Sequence, residues 1–180
     1  MSKGARWKET EPYIINPANT QELDEGRVKS IVKESIAKWN GWIGSPDIIG
    51  SEAEDSDAVN GADMISPDNQ NEVLFGNVDS PGAIAVTVVW GIFSGPPGVR
   101  ELVEWDQVYD EEDFNWSLDG ELDAMDFENI VTHELGHAFG LDDLYTECTE
   151  ETMYGYASEG EIKKRDLNYG DITGIQALYK

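Results

Sequence analysis

Two histidines four residues apart mark the part of this sequence where chemistry is most readily placed. His133 and His137 are the two histidines of the chain, and Glu134 directly follows the first. On a helix, residues four apart lie one turn above each other on the same face, so both imidazoles can meet one zinc ion at about 2.0–2.1 Å. Glu134 points to the side of that face, where it can act on a metal-bound water as a general base. The spacing therefore predicts a zinc site with its own catalytic base.

A third protein ligand has to come from beyond the helix. Gly140 can adopt the left-handed conformation that ends a helix, which lets the chain turn back under the metal. Asp143 lies six residues after His137 and is the ligand that we favour, while its neighbour Asp142 competes for the role. If Asp143 binds the metal, Asp142 is a carboxylate beside the site or on the surface.

Apolar spacing predicts the elements that must position these side chains. Residues 126–139 carry an apolar face at helical spacing, with Asp126 able to cap the first turn and Gly140 ending the helix. The other expected elements are helices at 24–40, stopped by Gly41, and at 168–179, and strands at 13–15, 48–49, 73–75, 83–90 and 101–109, the last of them half-buried. Strands come early and helices interleave unevenly, which indicates a mixed sheet.

The charge balance limits the partners of this chain. Its 180 residues include 37 acidic and 12 basic side chains, and a net charge of −25 repels nucleic acid and anionic lipid. No run of eighteen apolar residues is present, so no membrane span is expected. Acidic stretches at 52–57, 110–113 and 119–126 offer hard oxygen ligands, although none has the EF-hand spacing, so structural Ca²⁺ is an open expectation. Cys148 is the single cysteine, which excludes an internal disulfide.

Beyond these inferences, residues 133–143 resemble the metzincin zinc peptidases, whose pattern is HExxHxxGxx followed by a third histidine or, in some members, an aspartate. Residues 152–156 resemble the Met-turn, in which Met153 would pack beneath the zinc-binding histidines. Residues 171–179 are similar to the closing helix of matrixin-like members, and residues 82–87 are similar to their antiparallel edge strand.

Two positions depart from the matrixin pattern. Asp143 stands where matrixins have histidine, and in this it is similar to the snapalysin-like group. Gly155 stands where matrix metalloproteinases carry proline, in a segment that forms the wall of the pocket for the residue after the cleaved bond. The resemblance therefore leaves the side-chain preference of that pocket open.

The fold implied by the resemblance is α+β, that of a zincin-like metzincin catalytic domain. It consists of a twisted mixed five-stranded sheet with an antiparallel edge strand, an active-site helix, a Met-turn and a C-terminal helix. We expect one catalytic domain over residues 1–180. Its N-terminal subdomain, about 1–140, would hold the sheet and the active-site helix, and its C-terminal subdomain, about 141–180, the Met-turn and the last helix.

The activity implied by the resemblance is that of a zinc-dependent endopeptidase acting on extended polypeptides through a water activated by zinc and Glu134. The edge strand would hold the substrate by strand addition, with Tyr156 in the pocket wall. The substrate-binding residues expected on this strand are Ala83, Ile84, Ala85 and Val86. We expect an extracellular monomer whose signal or pro-segment is not present in this chain.

Three other interpretations remain open. A glutamate on a later helix supplies the third zinc ligand in thermolysin-like peptidases, and Glu159 or Glu161 would have that role here, although both stand in a loop-like stretch. The same fold could instead be an inactive metal-binding module that captures peptides, but the presence of Glu134 argues against it. In the third interpretation the helix motif is coincidental in a calcium-stabilised interaction domain.

Overall fold

The structure of the protein, a computed structural model, describes residues 4–53 and 59–180. Residues 54–58, which include most of the acidic stretch at 52–57, lie outside the described residues, as do residues 1–3. The strands are β1 (Glu11–Ile15), β2 (Ile49–Glu52), β3 (Glu72–Gly76), β4 (Ala85–Ile92), β5 (Glu101–Asp110), β6 (Trp116–Ser117) and β7 (Met125–Asp126). The helices are α1 (Glu25–Ile43), α2 (Phe127–Ala138) and α3 (Tyr169–Tyr179), with short 3₁₀ turns at Pro97–Val99 and Lys163–Arg165.

Five of these strands form one mixed sheet in the order β2-β1-β3-β5-β4. The pairs β1–β2, β1–β3 and β3–β5 are parallel, whereas β4 runs antiparallel to β5 and lies at the edge of the sheet. A parallel pair needs a crossover connection, and α1 supplies it between β1 and β2. The predicted α+β fold, with a mixed five-stranded sheet and one antiparallel edge strand, is confirmed.

An aromatic cluster joins the sheet to the start of α2. Phe75 of β3 and Tyr109 of β5 contact Trp116 and Phe127, with ring centroids 5.0 to 6.0 Å apart. Such pairs contribute about 0.5–1.5 kcal/mol each beyond the burial of their area. Because Phe127 is the first residue of α2, the cluster fixes where the predicted active-site helix begins over the sheet.

The first helix is longer than its sequence pattern predicts. It continues through Gly41 to Ile43 and ends at Gly44, whose φ of 108° is left-handed. Gly41 is therefore not the stop, because Ile43 still packs against the hydrophobic core and extends the helix by most of a turn. Neither this helix nor another in the described ranges is long and apolar enough to cross a membrane.

Strands β4 and β5 also differ from their predicted form. β4 passes through Gly91 at a bulge, where a Cβ would lie 2.5 Å from the Glu101 carbonyl oxygen. β5 is buried along most of its length instead of alternating as predicted. The reason is that it lies between β3 and β4, and backbone groups of the segment 60–69 bind the carboxylates on its outer face.

A buried carboxylate holds the first turn of α2. Asp126 is fully buried, and its Oδ1 accepts the N–H of Asn129 at 2.9 Å, as expected of a helix cap. Arg165 donates from Nε to Oδ1 at 2.8 Å and from Nη2 to Oδ2 at 2.6 Å. This two-pronged pair ties the 3₁₀ turn near the C-terminus to the helix that carries both histidines.

Arg165→Met should destabilise the protein by about 2–3 kcal/mol, because it leaves the Asp126 carboxylate buried without its cation. Urea unfolding measures the change. Arg27→Met is the matched control, since Arg27 also donates two hydrogen bonds to one carboxylate, that of Asp119. This pair lies at the surface, where the loss should be much smaller. Equal losses in the two variants would contradict the anchoring role of Arg165.

Candidate metal centre and active-site cleft

Both histidines of α2 have one ring nitrogen bound to a backbone carbonyl. His133 Nδ1 lies 2.6 Å from the Thr152 oxygen, and His137 Nδ1 lies 2.9 Å from the Leu141 oxygen. A carbonyl only accepts, so each Nδ1 carries the proton and each Nε2 keeps its lone pair. The two imidazoles thus present their Nε2 atoms to the same point, where each is available to a metal ion.

Asp143 completes a three-ligand group with these nitrogens. Its Oδ1 lies 3.2 Å from Nε2 of His133 and 3.5 Å from Nε2 of His137. Ligands bound at 2.0–2.1 Å around a tetrahedral ion are about 3.3 Å apart, so these separations suit zinc. Oδ1 is also buried without a hydrogen-bond partner among the described residues. The donor set and its spacing fit a zinc ion.

The electrostatics of this group favour positive charge at its centre. Burial lowers the pKa of His137, but Asp143 and Glu134 raise it, to about 9 in sum. Burial raises the pKa of Asp143, but the two neighbouring imidazoles lower it well below its usual range. A proton on these groups balances the negative charge of the carboxylates, as a metal ion would.

The turn after α2 delivers Asp143. Gly140 has a φ of 100°, in the left-handed region, and the N–H of Leu141 returns to the Gly136 carbonyl at 2.9 Å. Asp142 is exposed, although it also lines the cleft. Among the described residues, the acidic side chain grouped with the two histidines is Asp143, and neither Glu159 nor Glu161 belongs to that group.

Tyr145 orients this carboxylate and carries no sequence signal for the role. Its hydroxyl donates to Asp143 Oδ2 at 3.0 Å, which leaves Oδ1 to face the histidines. The hydrogen bond to Asp143 raises the pKa of Tyr145. The phenol ring lies over Gly155, where a Cβ would be 2.4 Å from the ring. Tyr145 also contacts Tyr156 edge to face, with centroids 5.4 Å apart.

Met153 lies beneath the histidines, against Gly136. A Cβ at position 136 would be 2.1 Å from Met153 Sδ and 3.0 Å from the Trp39 ring. Gly136 lies between the two histidines on α2, so the thioether occupies the space between their attachment points. Met153, the residue expected in the Met-turn, thus lies against α2 between the positions of the two histidines.

Glu134 is buried beside the metal group and is bound by a residue of the edge strand. The Thr87 hydroxyl donates to Glu134 Oε2 at 2.6 Å. Thr87 stands 47 residues away in the chain, within a strand whose sequence is otherwise mostly apolar. No local motif marks it, and only the packing of β4 against α2 brings it to the site.

A cleft of about 680 Å³ opens over these groups. Its walls include the two histidines, Glu134 and Asp143 from the α2 side and residues 82–87 from the edge-strand side. Ala83 and Ile84 come just before β4, and Ala85 and Val86 begin it. The predicted substrate-binding residues Ala83, Ile84, Ala85, Val86 and Tyr156 all line the cleft.

Gly136→Ala should destabilise the protein by about 1–3 kcal/mol, because the new methyl group displaces Met153. Helix propensity alone predicts the opposite sign, a gain of roughly 0.5–1 kcal/mol. Gly41→Ala is the control, since Gly41 lies in α1 with nothing within 4 Å of its Cβ position, and it should show that gain. Urea unfolding of both variants checks the prediction, and the same sign in both would contradict it.

Sequence comparisons find known proteins that are similar to this chain. The family described as Matrixin matches residues 96–180. Metalloendoproteinase 2-MMP of Arabidopsis thaliana is 35% identical over 48% of this chain and 22% of its own length. Matrilysin of Homo sapiens is 35% identical over 38% of this chain and 25% of its own, and Stromelysin-1 of Mus musculus is 29% identical over 56% and 19%. The chain thus spans a quarter or less of these curated relatives.

The matched residues include α2, the turn that carries Asp143, and the segment around Met153. The described fold agrees with a metzincin catalytic domain over its whole mixed sheet. In its sequence matches and its fold, the chain is similar to metalloproteases of the metzincin type.

Proposed function

We propose that this chain is one zinc endopeptidase catalytic domain, with zinc held by His133, His137 and Asp143. The observation that carries the proposal is the meeting of two Nε2 lone pairs and one unpartnered carboxylate oxygen at separations of 3.2 and 3.5 Å. When bound there, zinc supplies a Lewis acid that lowers the pKa of a water and polarises a peptide carbonyl. The other elements of the mechanism belong to residues of the chain.

Glu134 is the proposed general base. Thr87 occupies its Oε2, so Oε1 is the oxygen that takes a proton from the attacking water and returns it to the leaving amine. The Thr87 hydroxyl holds the carboxylate in place during both transfers. Because Glu134 is not needed to bind metal or peptide, its position in the cleft favours a catalyst over an inactive peptide-capturing module.

The edge strand β4 is the proposed substrate-binding element. It lies at the end of the sheet order, and its first residues line the cleft opposite the histidines. An extended polypeptide can add to such an edge through main-chain hydrogen bonds. Tyr156 stands in the wall of the same cleft, where a side chain of the substrate would lie. Because the sequence is matrixin-like, the proposed substrates are extracellular polypeptides.

Substitutions can distinguish the residues proposed to bind zinc from the proposed general base. His133→Ala and Asp143→Ala should lose the bound zinc, whereas Glu134→Gln should keep one zinc per chain, and all three should lose proteolysis of an unfolded protein. Asp142→Ala is the control for Asp143→Ala and should keep both zinc and activity. Zinc is counted by mass spectrometry of the dialysed protein. Full zinc retention in Asp143→Ala, or loss in Asp142→Ala, would refute this ligand set.

Thr87→Val should lower kcat roughly tenfold or more with little change in KM, because the isosteric side chain cannot hold the Glu134 carboxylate. Thr87→Ser retains the hydroxyl and should restore most of the rate. Steady-state kinetics on a fluorogenic peptide measure both variants, with zinc content recorded alongside. A valine variant as active as the parent chain would show that the hydrogen bond does not matter for catalysis.

A further inference from the structure

The cleft contains a buried lysine that the proposed mechanism does not use. Lys164 is 1% exposed, yet it lines the cleft together with Ile130 and His133 of α2. Lysine side chains are almost never fully buried unless they are paired. Its burial beside the metal group therefore calls for a partner that balances the positive charge.

The position of this lysine is fixed at both ends. Its backbone N–H donates to the side-chain oxygen of Asn129 on α2 at 2.7 Å, and both residues are buried. From there the side chain extends to Tyr154, whose carbonyl oxygen accepts a hydrogen bond from Lys164 Nζ. Residues 155–157 directly follow Tyr154 and line the cleft. The ammonium group therefore lies where that wall of the cleft begins.

The ammonium group of Lys164 has hydrogen-bonding capacity left over. It carries three N–H donors, and the Tyr154 carbonyl oxygen accepts from one of them. Within the described ranges of the chain, no carboxylate forms an ion pair with Lys164. Burial lowers the pKa of Lys164 by more than the surrounding carboxylates raise it. A further anion beside the ammonium would therefore stabilise its charged form.

The acidic side chains around this lysine are placed for other contacts. Three carboxylates act on its ammonium through their charge, those of Glu161, Glu134 and Asp143. Glu161 Oε2 lies 3.4 Å from Lys163 Nζ, and Glu161 Oε1 is buried without a hydrogen-bond partner among the described residues. The other two are the proposed base and the proposed metal ligand. A carboxylate that pairs with Lys164 would therefore come from a bound molecule.

We propose that Lys164 makes this endopeptidase select substrates with an aspartate or a glutamate directly after the cleaved bond. This inference rests on the proposed function and on the resemblance by which the segment around Gly155 forms the wall of the pocket for that substrate residue. A carboxylate in the pocket would accept a charge-assisted hydrogen bond from Nζ. An uncharged side chain would leave the ammonium buried without a partner, which lowers kcat/KM.

The overall charge of the chain works against such a preference. With a net charge of −25, the protein repels an acidic peptide at long range. Selection of an acidic substrate residue would therefore indicate a cation within the cleft itself. Among the described residues that line the cleft, Lys164 is the only lysine or arginine.

Cleavage-site profiling of the zinc-loaded chain on a peptide mixture, read by mass spectrometry, tests the preference first. Aspartate and glutamate should be enriched directly after the cleaved bond. Two fluorogenic peptides that differ only in glutamate or glutamine at that position then measure the selectivity as a ratio of kcat/KM values. The ratio should favour glutamate by about tenfold or more, because glutamine has the same length but no charge.

Lys164→Met should reduce this ratio to about one, mainly through loss of activity on the glutamate peptide, because methionine carries no charge. Lys164→Gln is a second uncharged variant and should have the same effect. Lys163→Met is the matched control, since Lys163 is the adjacent residue and its Nζ lies 5.6 Å from the centroid of the Tyr154 ring. Lys163 is not among the residues that line the cleft, so this variant should keep the parent ratio.

The outcomes distinguish this inference from the proposed function. Cleavage without a preference for acidic residues, or an unchanged ratio in both Lys164 variants, overturns the role of Lys164 and leaves the endopeptidase proposal in place. Equal losses on the two peptides count as an unchanged ratio, because they indicate a lysine that only supports the fold. Failure of the zinc-loaded parent chain to cleave any peptide refutes the proposed function and this inference with it.

Discussion

The arrangement of the cleft depends on one close approach, the packing of Met153 against the bare backbone of Gly136. This contact brings the preceding residue so near to α2 that the Thr152 carbonyl reaches Nδ1 of His133. Asp171, in the first turn of α3, holds the same turn from the other side by accepting the N–H groups of Thr152 and Met153 at 2.7 and 3.1 Å. A helix N-terminus favours such a carboxylate. The C-terminal part of the chain thus sets the tautomer of a histidine on a distant helix.

Carboxylates near the two faces of β5 have different partners. On the α2 side, the carboxylate of Asp143 meets two imidazoles, so nitrogen and oxygen donors of moderate softness converge. On the outer side, Glu104 and Asp106 are met by backbone N–H groups and by another carboxylate. Neutral ligands such as imidazole add no negative charge to a group, whereas each carboxylate adds one. The sheet therefore separates a group that contains imidazoles from a group made of carboxylates alone.

Local spacing predicts α2 well, because its cap, its apolar face and the four-residue step between histidines all lie within one helix. The limits of the predictions appear where distant segments meet. Thr87 reaches Glu134 across 47 residues, and nothing near it in sequence distinguishes it from other strand threonines. Glu104 and Asp106 give β5 the alternation of a half-buried strand, but the segment 60–69 covers them, so the strand is buried on both faces. The spacing of polar residues shows which face of a strand is polar, but it does not show whether another segment covers that face.

A carboxylate third ligand makes a different demand on its surroundings from an imidazole. An imidazole that binds metal with one nitrogen can anchor itself by donating from the other, and both histidines have Nδ1 on a backbone carbonyl here. A carboxylate has no proton to donate, so its second oxygen needs a donor, and Tyr145 provides one to Asp143. The Tyr145 ring can reach that position only because Gly155 has no side chain beneath it. Tyr145 therefore links the residues at positions 143 and 155, the two positions that depart from the matrixin pattern.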